Sequence, residues 1–192
     1  MFTIPNILTF FRILAIPGMV AGFYLPGDWQ YWLPFGLFVA AAVTDFFDGY
    51  LARALDQMSE LGRLLDPIAD KLLVGTALIM LVGEGIIGGV GVIAAAIILI
   101  REILVSGLRE FLAGAQVSVP VTQLAKWKTT VQMIALSILL TGPAGDAIIP
   151  FLTELGMLGL WVAAILTIVT GYGYLKQGLA HVIAVDRARA GD

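Results

Sequence analysis

Residues 41–72 read AAVTDFFDGYLARALDQMSELGRLLDPIADKL. Asp45, Asp48, Asp66 and Asp70 stand here in the frame D-x2-D-G-x2-A-R-x8-G-x3-D-x3-D. The surrounding sequence has the character of membrane: of 192 residues, 59% are hydrophobic and only 13% charged. A soluble domain carries about a quarter charged residues. Carboxylates in an apolar setting are costly and need a reason to be there. The arrangement suits a divalent-metal site that holds a diphosphate at a membrane surface.

Working outward, six apolar runs are countable, at roughly 7–25, 31–54, 64–82, 86–111, 124–141 and 157–179. They are long and do not alternate, so strands are not expected. The expectation is an all-α, polytopic membrane protein with six transmembrane helices and one domain over residues 1–192. The first run is read as a retained helix, because no basic leader or small-residue cleavage site accompanies it. Breaks are expected at Pro26-Gly27-Asp28, at Gly83-Glu84-Gly85 and over Gly142–Pro150, and a frayed tail over 186–192. The net charge of −3 gives no basis for binding nucleic acid, and the lack of cysteine excludes thiolate metal sites and disulfides.

The eleven lysines and arginines all fall at or near one set of helix ends, whereas the opposite loops carry only Asp28, Glu84, Asp146 and Glu154. The positive-inside rule then puts both termini, the 55–65 loop and the 112–123 loop in the cytoplasm. Residues 31–44 are too few to cross a bilayer alone, so that helix must continue through Asp45 and Asp48 towards Arg53. Asp66 and Asp70 open the returning helix. All four acids are therefore expected near the cytoplasmic edge of the hydrocarbon.

Asp45 and Asp48 are three apart and share a helix face, with Gly49 and Ala52 on the same side. Two nearly bare positions beside two carboxylates make a shallow notch. Asp66 and Asp70, four apart, share a second face, with Gly62 one turn earlier. Four acids brought together repel one another unless cations fill the space. Hard divalent ions, Mg²⁺ or Mn²⁺, prefer such oxygen ligands, and a pair of them can clamp a phosphoryl group. His181 is the only histidine, which argues against zinc. A single intramembrane acid is explained as well by helix pairing or an ion pathway; four in this frame are not.

The run Asp45-x2-Asp48-Gly49-x2-Ala52-Arg53-x8-Gly62-x3-Asp66-x3-Asp70 resembles, at every position, the signature of the CDP-alcohol phosphatidyltransferases. The resemblance extends to an entry segment, Pro5-Asn6-x2-Thr9-x2-Arg12. It also covers Arg101-Glu102 to Arg109-Glu110 and Lys126-Trp127-Lys128-Thr129. It implies the CDP-alcohol phosphotransferase fold in a bacterial inner membrane. The later stretches look most like the branch that joins CDP-diacylglycerol to glycerol 3-phosphate and releases CMP.

The resemblance also implies roles. Asp45 and Asp66 would touch both of two metal ions, Asp48 would complete the first and Asp70 the second. Asp70 would be the catalytic base for the acceptor hydroxyl. Gly49, Arg53 and Ser59, beside the small Ala52, would meet the CDP moiety, and Asn6 and Thr9 the cytidine.

A glycerol 3-phosphate pocket should be cationic. Arg109, Lys126 and Lys128 are its candidates, with Arg101 a further one. Lys126 and Lys128, two apart, point to different sides of a helix, so they do not both face one cavity. Glu102 and Glu110 read as ion-pair partners. Other acceptors (inositol phosphate, serine, phosphatidylglycerol) keep the same chemistry. A prenyl-diphosphate transferase is disfavoured by the Gly, Ala and Arg locked between the acids. A cation transporter is disfavoured by their clustering at one edge. The glycine clusters 85–91 and 171–173 fit close helix packing or a homodimer seam, and spacing leaves the two open.

Overall fold

The computed structural model describes residues 4–54, 60–114 and 122–190. Within them, the side chains of residues 4–6, 46–54, 60, 61, 63, 177 and 179–190 lie outside the description. The described residues form six helices and no strand: α1 (Ile4–Gly22), α2 (Trp29–Ala54), α3 (Glu60–Gly83), α4 (Gly91–Gly114), α5 (Gln123–Asp146) and α6 (Leu152–Ala190). The all-helical expectation holds. By length and apolarity, Gly91–Gly114 and Leu152–Lys176 qualify as membrane spans among the described residues, and Ile7–Gly22 is apolar but shorter.

Several boundaries differ from those read off the sequence. Residues 84–90 form turns and bends, with Gly85 and Gly89 in the left-handed region, so the fourth helix starts only at Gly91. The expected break at Gly142 is a kink: the helix bends at Gly142 and Pro143 and runs on to Asp146. Pro143 cannot donate a helical hydrogen bond, and Gly142 takes φ 48° and ψ −144°, which suits only glycine. A Cβ on Gly142 would also lie 2.8 Å from Tyr31 Cδ1. The kink thus lets α2 and α5 approach at that end. The expected frayed tail is helical as far as Ala190, so α6 is 39 residues long. At 1.5 Å per residue that is about 58 Å, well beyond a hydrocarbon core of about 30 Å.

The packing order places the site. α1 lies against α2 and α3; α5 packs on α2, α3 and α6; α4 packs on α3 and α6. The shared core contains Met19, Phe38, Leu78, Leu81, Ile98, Leu136, Leu139 and Leu160. Ala41, Ala77, Ala94 and Ala163, all buried, let the helix backbones approach closely. Large apolar side chains such as Leu14, Ile79, Ile103 and Ile165 face outward. An outer surface of this kind suits lipid rather than water. Thr122 caps α5, its hydroxyl accepting from Ala125 N at 3.3 Å.

Candidate active site

The acids are assembled by α1. Thr9 and Arg12 are three apart and share the face of α1 that meets α2 and α3. The Thr9 hydroxyl donates to Asp66 Oδ1 at 2.6 Å. Arg12 reaches Asp45 Oδ1 through Nη2 at 2.9 Å and Asp70 Oδ1 through Nη1 at 3.1 Å. Its side chain is 0% exposed, while the two carboxylates are each 46% exposed. Arg12 is a buried fork that ties the end of α2 to the start of α3. Among the described residues, α1 packs on both acid-bearing helices, and α5 packs on both as well.

This placement has an electrostatic cause. Asp45, Asp66 and Asp70 all line one cleft, and like charges so placed repel. A guanidinium offers two parallel donors and stays charged when buried, so it can satisfy two carboxylates where an ammonium cannot. Lys71, on the same wall, turns back to donate to Pro67 O at 2.6 Å.

The donors fit a hard divalent ion. They are carboxylate oxygens, half solvated and facing one cleft, with no thiol or imidazole among them. Among the described residues, however, no three of these groups are drawn tightly enough to form a ready-made ion cage. Arg12 occupies the position between Asp45 and Asp70. The Asp48 side chain, the remaining expected ligand, is outside the described side chains, as are those of Asn6, Ala52 and Arg53. Gly49 lies on the α2 backbone, and Ser59 falls outside the described residues.

The cleft has a volume of about 830 Å³ and runs from the acids to a second, basic wall. That wall carries Arg101, Glu102, Arg109 and Lys128. Lys128 is only 3% exposed and its Nζ donates to Glu102. Arg101 donates through Nη2 to Thr170 Oγ1 at 3.1 Å and stands over the Tyr174 ring, 6.0 Å from its centre. Its Nη1 is 3.9 Å from Glu102 Oε1. Arg109 lines the cleft from an exposed position. Lys126 is exposed and is not part of the lining. Adjacent to the cleft, and sharing Ala42, Met133 and Ile134 with it, is an apolar groove between α2 and α5.

Sequence reasoning gave Arg12 no role, although a charged residue inside an apolar helix, one turn after Thr9, was the available signal. Gln132, a polar residue four beyond Lys128 in an apolar run, was also passed over. The α6 residues Thr170 and Tyr174 carried no signal at all, because their part depends on which helix lies opposite.

Comparison with known proteins identifies the family. A family model described as CDP-alcohol phosphatidyltransferase matches residues 2–169. A Rickettsia bellii protein is 53% identical over 90% of this chain and 93% of its own length. A Cereibacter sphaeroides protein is 40% identical over 94% of this chain and 97% of its own. A Pseudomonas fluorescens protein is 42% identical, covering 93% and 91%. All three bear the name CDP-diacylglycerol–glycerol-3-phosphate 3-phosphatidyltransferase. Carrying the complete acid frame over that matched length, the chain belongs to the CDP-alcohol phosphatidyltransferase family.

Proposed function

We propose that this chain transfers the phosphatidyl group of CDP-diacylglycerol to glycerol 3-phosphate, making phosphatidylglycerophosphate and releasing CMP in phospholipid synthesis. The observation that carries this reading is the two-walled cleft, with acids on one side and Lys128, Arg101 and Arg109 on the other. An acceptor with its own phosphate needs both walls; serine needs only the first. The names of the relatives support the same acceptor.

In this reading Asp45, Asp48, Asp66 and Asp70 hold two Mg²⁺ or Mn²⁺ ions. Bound there, the ions would neutralise the diphosphate and the leaving CMP. Asp70 takes the proton of the acceptor's terminal hydroxyl. That oxygen forms a bond to the phosphorus carrying diacylglycerol, and the bond from that phosphorus to the CMP oxygen breaks. Displacement is direct, since positioning and charge neutralisation suffice without a covalent enzyme intermediate. Arg12 orients Asp45 and Asp70, and Thr9 orients Asp66. Asn6, Gly49, Ala52, Arg53 and Ser59 serve the CDP moiety, while Thr9, expected beside the cytidine, is engaged with Asp66. Arg109 and Lys128 receive the acceptor phosphate. Lys126, exposed outside the cleft, serves as an interfacial anchor.

The six helices form one integral-membrane domain over residues 1–192, with both termini and the cleft on the cytoplasmic side of a bacterial inner membrane. The one-sided lysine and arginine distribution and the outward apolar side chains support this topology. The test is purified protein with CDP-diacylglycerol, Mg²⁺ and a panel of alcohols, following CMP release. Glycerol 3-phosphate should be the preferred acceptor, and Asp66→Asn should abolish turnover. Equal CMP release with serine, or full activity of Asp66→Asn, would refute the reading.

A further inference from the structure

Gln132 is a cleft residue that the reading above leaves without a role. It follows Lys128 by four residues on α5, so the two share a face about 6 Å apart along the axis. Gln132 is 2% exposed and lines the cleft, yet its Oε1 has no hydrogen-bond partner. Buried polar atoms in proteins nearly always have one. The cleft it lines also carries Ser106, Thr129 and Thr130, and none of these donates to it. An amide placed there only for packing would be better replaced by an apolar residue of the same size. The unpaired oxygen instead points to a donor arriving with a ligand.

The position specifies the donor. Lys128 lies one turn before Gln132 on α5, and Asp45, Asp66 and Asp70, on α2 and α3, line the same cleft. An acceptor bound by its phosphate at Lys128, with its terminal hydroxyl at the acids, carries its middle carbon past Gln132. In glycerol 3-phosphate that carbon bears a second hydroxyl, a few bonds from the phosphorus. One helical turn between Lys128 and Gln132 accommodates that separation.

We infer that Gln132 Oε1 accepts a hydrogen bond from the middle hydroxyl of glycerol 3-phosphate, and so selects an acceptor with hydroxyls on adjacent carbons. This rests on the acceptor reading given under Proposed function. The middle hydroxyl keeps its proton; only the terminal one is consumed. A site built for a hydroxyl discriminates against an analogue lacking it, because the analogue leaves the buried oxygen as unpaired as it is in the empty cleft.

The experiment compares kcat/KM for glycerol 3-phosphate and for 3-hydroxypropyl phosphate, which lacks the middle hydroxyl, using full-length protein with CDP-diacylglycerol and Mg²⁺. The native protein should prefer glycerol 3-phosphate by about 10- to 100-fold. Gln132→Met should bring that ratio close to one, chiefly by raising KM for glycerol 3-phosphate, with KM for CDP-diacylglycerol unchanged. Gln132→Glu keeps an acceptor oxygen and should keep the preference, since any repulsion of the phosphate affects both substrates alike. The inference is overturned if the native protein uses the two phosphates equally, a result that needs no variant to fold. It is equally overturned if the preference survives intact in Gln132→Met. Turnover with serine and with neither phosphate would instead sink the acceptor reading, and the inference with it.

Discussion

Replacing Arg12 with methionine removes the cation between Asp45 and Asp70 while preserving bulk. The geometry sets the size of the effect. Two charge-assisted hydrogen bonds are lost, at 2.9 and 3.1 Å, from a side chain that is 0% exposed. Such bonds contribute about 1.5–3 kcal/mol each, and breaking a fully buried pair costs about 3–5 kcal/mol. The carboxylates are 46% exposed, so water recovers part of that, leaving a cost of about 2–3 kcal/mol. For a chain of this length that is a fall of about 5–10 °C in melting temperature. The measurement is thermal unfolding of purified protein in detergent, with EDTA and with saturating Mg²⁺. In EDTA the variant should melt lower by the stated amount. With Mg²⁺ the gap should narrow, because the ion supplies the missing positive charge and binds only the folded protein. Arg12→Lys should fall between, since one ammonium cannot span both carboxylates as the fork does. Equal stability of Arg12→Met and native protein in EDTA would refute the reasoning. A gap of the same size with and without Mg²⁺ would refute the link to the acid site.

Three further outcomes follow from the structure. Lys128→Met should raise KM for glycerol 3-phosphate about 10- to 100-fold and leave CDP-diacylglycerol affinity unchanged, whereas Lys126→Met should change neither; steady-state kinetics on both substrates decide this. Gly142→Ala forces an L residue to φ 48° with its Cβ against Tyr31, so it should destabilise by about 1–3 kcal/mol, read as a lower melting temperature. At the opposite end of the bundle, Thr153, whose backbone N–H donates to Asp146 Oδ1 at 2.8 Å, holds the Asp146 carboxyl below the ordinary carboxylate range. A depressed folded pKa stabilises fully above the unfolded value of about 3.9 and is lost as pH falls through the lower folded value. Asp146→Asn should therefore lower the melting temperature at neutral pH, and the difference should vanish in strong acid.

Much of the site was legible before any fold was known. The spacing of Asp45, Asp48, Gly49 and Ala52, and of Asp66 and Asp70, depends only on the helical period, so shared faces could be read directly. The one-sided lysines and arginines carry the orientation proposed for the bundle in the same local way. Lys126 and Lys128, two apart, do not both face a single cavity, yet their spacing does not say which one faces in.

That choice belonged to the tertiary structure, as did Arg12, Gln132 and the α6 contribution from Thr170 and Tyr174. The physical reason lies in the surface of the chain. In a water-soluble bundle the apolar stripe marks the inward face of each helix. Here the residues facing the core (Leu136, Leu139, Leu160) and those facing out (Ile103, Ile165) are chemically alike, so periodicity cannot set how each helix is rotated. Local spacing therefore determined which acids share a helix face. Only the packing of α1 onto α2 and α3, and of α5 between α2 and α6, decided which cations and which amide complete the cleft.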